Sequence, residues 1–144
     1  MIHDFIYDIC EILNISIPSV SFDASNFASK TTMAQCNQDG SIIYLKKYDK
    51  PNPDQFFSIA HELRHVWQMK NDEQLYFSSY KPIDACSSVE EYNLQIAELD
   101  ANAFACLVMI DFFHLKPLFE GVPESVKAKI YDRMECLKAT EFFR

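Results

Sequence analysis

Glycine is scarce, with two in 144 residues, and no repeat or low-complexity stretch occurs. That excludes flexible linkers and leaves regular elements joined by modest loops. The five cysteines, Cys10, Cys36, Cys86, Cys106 and Cys136, are odd in number, widely spaced and without a C-x-x-C pair. A disulfide framework or an all-cysteine metal site is thereby disfavoured, and reduced core thiols are expected. No apolar run reaches the ~18 residues of a membrane helix, and Met1-Ile2-His3-Asp4 lacks the basic flank and cleavage site of a secretory signal. A cytoplasmic protein without membrane association is the expectation. Cations are also few: 13 Lys and Arg stand against 21 Asp and Glu, for a net charge of -8. They occur singly or as Lys46-Lys47, with no basic arm, so no nucleic-acid partner is expected.

What is present is apolar material, 49% hydrophobic and 14% aromatic, enough for one domain over residues 1–144 with its own core. At this size roughly 68% of the unfolded surface can be buried, so a metal is not needed merely to hold the fold. Ile2, Phe5, Ile6, Ile9, Ile12 and Leu13 recur at helical spacing, which predicts an amphipathic helix closed by Asn14 and Pro18. Val20 and Phe22 suggest a short strand. Residues 30–36 and 41–45 flank Asn37-Gln38-Asp39-Gly40 and read as a hairpin, with 41–45 the clearest strand. A helix over 54–70 follows Pro53, apolar nearly all round and therefore central. Beyond a polar connection over 71–88, long enough to form a lid, two more helices are predicted over 89–113 and 123–142. The pattern is that of an α+β fold: a small, mostly antiparallel sheet packed on a central helix, with further helices around it.

Within that central helix stands His61-Glu62-Leu63-Arg64-His65, an H-E-x-x-H pattern. At about 100° per residue the two imidazoles lie about 40° apart on one face, one turn from each other, so both can reach one ion. Glu62 points to the flank of that face, where it can meet a water without coordinating. Two histidines and a carboxylate in so apolar a helix cost several kcal/mol unless paired, and a divalent cation would offset that. Zn²⁺ is the expected ion, although the same ligand types also suit iron, manganese or cobalt. A third protein ligand is required, and Glu98 and Asp100 compete for the place. They project about 160° apart, so only one can serve. Glu98 is favoured because Ala97, Ala101 and Ala105 line its side and allow close helix approach, and Asp100 is expected to partner a basic or backbone group. Asn102, one turn beyond Glu98, is expected to accept a hydrogen bond from the remote N–H of His61.

His61-Glu62-Leu63-x-His65, preceded by Phe57-x-x-Ala60 and followed by Glu98-x-Asp100-Ala101-Asn102-x-Phe104-Ala105, resembles the ImmA/IrrE group of gluzincin metallo-endopeptidases. This chain carries Arg64 where that group usually has glycine. The resemblance implies a minimal zincin-type domain in which His61, His65 and Glu98 hold zinc and Glu62 is the catalytic glutamate. The implied reaction is hydrolysis of a peptide bond in a protein or peptide substrate, a repressor or other regulatory protein being the type some members cleave. Glu62 would take the proton of the attacking water and deliver it to the leaving amine. The strand 41–45 is expected to offer an edge on which an extended peptide adds. Tyr76, Tyr80, Tyr92 and His114 are candidates for a donor to the oxyanion. The alternative is a catalytically weak or inactive zincin-like scaffold that acts as a protein-binding regulatory module.

Overall fold

In a computed structural model of the chain, which describes residues 1–23, 25, 27, 29–71 and 81–139, helix α1 (Ile2–Leu13) buries Phe5, Ile6, Ile9, Cys10 and Leu13 along one stripe. Asn14 ends it in the left-handed region at φ 52°, a conformation asparagine tolerates better than most residues. Three strands follow: β1 (Ser19–Ser21), β2 (Ala34–Cys36) and β3 (Ile42–Leu45), in the spatial order β1-β3-β2. The predicted hairpin is the antiparallel β2–β3 pair, with Cys36 opposite Ile43. Its first arm is shorter than 30–36, because residues 29–32 form a turn closed by Thr32 N–H donating to the Ser29 carbonyl. The sheet is mixed, since β1 runs parallel to β3, with Val20 also opposite Ile43.

That order corrects one expectation. The strand over 41–45 is the central one, hydrogen-bonded on both sides, so it has no edge to offer a peptide. The edges are β1 and β2. At the hairpin tip Gly40 takes φ 73°, and a β-carbon there would lie 2.8 Å from Val66 Cγ1, so the bare backbone is what lets the turn dock on the next helix.

Helix α2 (Pro53–Asn71) starts where predicted: Asn52 Oδ1 accepts the Asp54 N–H at 3.0 Å, and Pro53 fills the first helical position. Gln55, buried in the first turn, donates from Nε2 to the carbonyls of Lys46 (2.7 Å) and Met33 (3.2 Å). One side chain thus fixes the start of β2 and the end of β3 against α2. Phe56, Ile59 and Leu63 are buried in the core, where Phe56 meets the rings of Phe5 and Phe113 at 4.9 and 5.1 Å.

The single helix expected over 89–113 is two, α3 (Val89–Asn93) and α4 (Ile96–Phe113). Gln95 between them is extended (ψ 141°), and its side chain bonds the Lys81 carbonyl at 2.8 Å instead of prolonging the helix. The break matters for the site. Six positions of unbroken helix would turn Tyr92 about 120° away from Glu98, whereas here the two touch. Helix α4 is buried on nearly every side between α2 and α5 (Glu124–Lys138), which inserts Val126, Ile130, Met134 and Leu137. Residues 140–142 of the predicted last helix lie outside the described residues. The five cysteines are free, Cys10 and Cys106 in the core but Cys136 exposed, so the core reading does not extend to all of them. Among the described residues no helix is long and apolar enough to cross a membrane.

Candidate metal centre and cleft

Helix α2 supplies His61 and His65 from successive turns, and α4 supplies Glu98 from its first turn. Their ligand atoms converge. His61 Nε2 and His65 Nε2 are 3.1 Å apart, Glu98 Oε2 is 3.2 Å from His61 Nε2, and Glu98 Oε1 is 2.9 Å from His65 Nε2. For ligands at about 2.0–2.2 Å around a tetrahedral ion, neighbouring donor atoms are separated by about 3.3 Å. The observed triangle is within a few tenths of an ångström of that spacing, and its two nitrogens and one carboxylate are donors that zinc accepts. Among the described residues these three form the group of histidine, cysteine and acidic side chains able to share one ion.

Electrostatics agree with a site built for positive charge. Burial by itself would raise the Glu98 carboxyl, but the adjacent imidazoles hold it well below the usual carboxylate range. Burial likewise opposes the charged form of His61, yet the Glu98 carboxylate outweighs it and lifts His61 to about 9. A carboxylate only 2% exposed is not tenable without a compensating cation, whether imidazolium or metal ion.

Glu62 flanks the triangle. Burial pushes its carboxyl up, the neighbouring His61 and His65 partly reversing the effect, and it makes no hydrogen bond or ion pair among the described residues. It lines an open cleft of about 370 Å³ whose walls include Thr32, Met33, Ala34, Phe57 and Tyr92, with His61 and Glu98 at its floor. Cys36 of β2 lies close enough for the Glu62 charge to help push its thiol up, though burial is the larger cause. The edge strand therefore runs beside the candidate base.

Asn102 borders the cleft beside His61 and favours its charged form, but His61 Nδ1 has no hydrogen-bond partner of ordinary geometry among the described residues. His65 has one: its Nδ1 lies 2.8 Å from Gln68 Oε1. Sequence reasoning missed Gln68, although its place three residues after His65 on the same helix face was the available signal. Gln68 Nε2 in turn donates to the Ala97 carbonyl (2.9 Å) and to Asp100 Oδ2 (2.7 Å). Asp100 faces away from the triangle. Arg64 grips it through Nε (2.7 Å) and Nη2 (3.1 Å), and Arg133 of α5 through Nε and Nη2 at 2.9 and 2.8 Å. Arg64, 1% exposed, also lies with its guanidinium carbon 3.7 Å from the Trp67 ring centroid.

Of the donors considered for the oxyanion, Tyr92 is in the cleft, where its hydroxyl donates to Glu98 Oε1 at 3.0 Å. His114 is not among the cleft residues; it caps the far end of α4 in the left-handed region. Tyr76, Tyr80 and the rest of residues 72–80 of the predicted lid lie outside the described residues.

No curated protein and no solved structure matches the chain. A peptidase family profile described as the IrrE N-terminal-like domain does match, over residues 10–122, a span that contains the hairpin, both motif helices and the cleft. On that match the chain belongs to the IrrE N-terminal-like peptidase family.

Proposed function

We propose that this chain is a zinc-dependent endopeptidase in which His61, His65 and Glu98 hold the ion and Glu62 is the general base. The observation that carries the reading is Glu62 itself: a half-buried carboxylate, raised by burial, facing a cleft and engaged by no partner among the described residues. A purely structural ion site has no use for such a group. The other reading, a zincin-like scaffold that binds a regulatory protein without cutting it, leaves Glu62 unexplained.

Held by His61, His65 and Glu98, an ion of the zinc type would supply Lewis acidity toward a carbonyl and a water. Glu62 accepts the proton of the attacking water at its carboxylate, which burial makes the better proton acceptor, and hands it to the departing amine. Tyr92 spends its one hydroxyl proton on a Glu98 oxygen, so it serves a developing oxyanion only by giving that bond up. The substrate backbone has an edge to pair with. Asn37 N–H donates to Ile42 O and Lys46 N–H to Met33 O, so residues 33, 35 and 37 face β3. Ala34 and Cys36 are left with their backbone groups on the outer side of the sheet, Ala34 at the cleft wall. An extended peptide is the substrate form this favours. Protein substrates of regulatory type and a cytoplasmic setting complete the proposal.

The test is metal content by elemental analysis of chain purified without added metal, followed by digestion of a proteome-derived peptide library. Wild type should carry about one zinc per chain and cut. Glu62→Gln should keep the zinc and lose cleavage by about 10²–10⁴-fold. Undiminished cleavage by Glu62→Gln overturns the base assignment, and a zinc-loaded wild type that cuts nothing favours the scaffold.

A further inference from the structure

We infer that Gln68 is the positioning residue for His65, and that Asp100, clamped by Arg64 and Arg133, is what keeps the Gln68 amide from turning over. The inference rests on the metal reading above and adds Gln68 and Arg133, which lie outside both motifs.

The argument is one of donor and acceptor counting. A glutamine amide offers two N–H donors at Nε2 and an acceptor at Oε1. Around Gln68, Nε2 lies 2.9 Å from the Ala97 carbonyl and 2.7 Å from Asp100 Oδ2, and both of those atoms can only accept while Asp100 is ionised. Both donors are therefore spent. Oε1 is left facing His65 Nδ1 at 2.8 Å, and an acceptor there requires the proton on Nδ1. In the neutral ring that leaves the lone pair on Nε2, the atom in the triangle with His61 and Glu98. If the amide turned over, Oε1 would face two other acceptors and Nε2 would demand the tautomer that cannot ligate.

Asp100 enforces this only while it stays ionised and fixed, which is the part played by the two arginines. Arg64 bonds both carboxylate oxygens and Arg133 binds Oδ1 twice. The relay runs from α5 through α4 to α2, so Arg133, whose side chain is 42% exposed, is connected to the metal centre without touching it. The two histidines are unequal as a result. His65 is locked in ring plane and tautomer, whereas His61 Nδ1 has no such partner among the described residues.

The test uses the full chain loaded with zinc and reads binding, not catalysis. Zinc affinity is measured by competition with a chromophoric chelator for wild type, Gln68→Met and Asp100→Asn, and the side-chain nitrogens of both histidines are followed by ¹⁵N-edited NMR. Gln68→Met should bind zinc about 10–100-fold more weakly, and Asp100→Asn should shift in the same direction. In wild type the His65 Nδ1 proton should exchange with water far more slowly than that of His61, and Gln68→Met should abolish the difference. Affinity of Gln68→Met within about threefold of wild type overturns the inference, since that is below the usual effect of such a partner. Should that variant not fold, the wild-type ring protons decide alone: equal exchange at His61 and His65 overturns it. A wild type that binds no metal overturns both this inference and the peptidase reading, whereas a metal-binding wild type indifferent to Gln68 overturns only the former.

Discussion

Arg64 and Asp100, 36 positions apart, form a buried two-point ion pair that joins the helix bearing His61 and His65 to the helix bearing Glu98. A buried charge stripped of its partner is costly, so the two halves of this pair should respond unequally to mutation. Asp100→Ala takes the carboxylate from a guanidinium that is 1% exposed and removes the anchor of Arg133 as well; it should destabilise the chain by about 3–5 kcal/mol. Arg64→Met leaves Asp100 with Arg133 and Gln68, and should cost about 1–3 kcal/mol. Denaturant unfolding of the metal-free variants measures both, and equal losses would contradict the shared role of Arg133.

The same carboxylate sets a limit in acid. Burial alone would raise Asp100, but the hydrogen bonds and charge of Arg64, with Gln68 and Arg133, hold it below the usual carboxylate range. A group whose folded pKa is depressed contributes stability that is complete above its unfolded value of about 3.9 and is lost as pH falls through the folded value. Glu98 shifts in the same direction and adds to the same window. Metal-free stability should therefore fall steeply below about pH 4, and Asp100→Asn should flatten that limb without removing it.

At the alkaline side the sign reverses. His61 is raised from 6.5 to about 9 in the metal-free chain, so its contribution to stability is complete below 6.5 and is lost as pH rises through about 9. Zinc competes for the same nitrogen. Its affinity should rise about tenfold per pH unit up to about 9 for that one proton, while the stability of the metal-free chain declines over the same range. Chelator competition and metal-free unfolding, run as paired pH series, should diverge; parallel curves would argue against His61 as a ligand.

Much of the site was legible because helical periodicity is local. The one-turn spacing of His61 and His65 and the opposite projection of Glu98 and Asp100 need only 3.6 residues per turn, and the helices place those side chains accordingly. What was not legible depends on packing between distant segments. Arg133 reaches Asp100 only because α5 lies on α4, and nothing near position 133 announces it. The central place of β3 follows from β1 joining it in parallel after a long crossover, which local alternation does not encode. Residues 89–113 carry continuous helical character, so the break at Gln95 came from a side chain committed to the Lys81 backbone.

Gly40 should resist substitution for two reasons that add. Its φ of 73° disfavours any side chain, and a β-carbon would press within 2.8 Å of Val66 Cγ1 on the helix that carries the histidines. Gly40→Ala should lower stability by about 1–3 kcal/mol. Gly121 has a similar φ of 76° but open space around its α-carbon, so Gly121→Ala carries the conformational cost alone. Thermal unfolding of the two variants separates strain from contact, with Gly40→Ala the more damaged.

Tyr92 gives a test of how Glu98 is held that leaves the apolar core in place. Its hydroxyl donates to Glu98 Oε1 at 3.0 Å from α3, a short helix with no buried residue, so removing that one oxygen should not disturb the core. Tyr92→Phe should cost at most about 1.5–3 kcal/mol of denaturant stability, the range for a hydrogen bond to a charged group. The carboxylate it orients would be freer to rotate, and zinc affinity should fall about tenfold, the lower end expected when a ligand loses its hydrogen-bond partner. A loss of stability without any change in zinc affinity would mean that Tyr92 braces α3 against α4 and does not orient the third ligand.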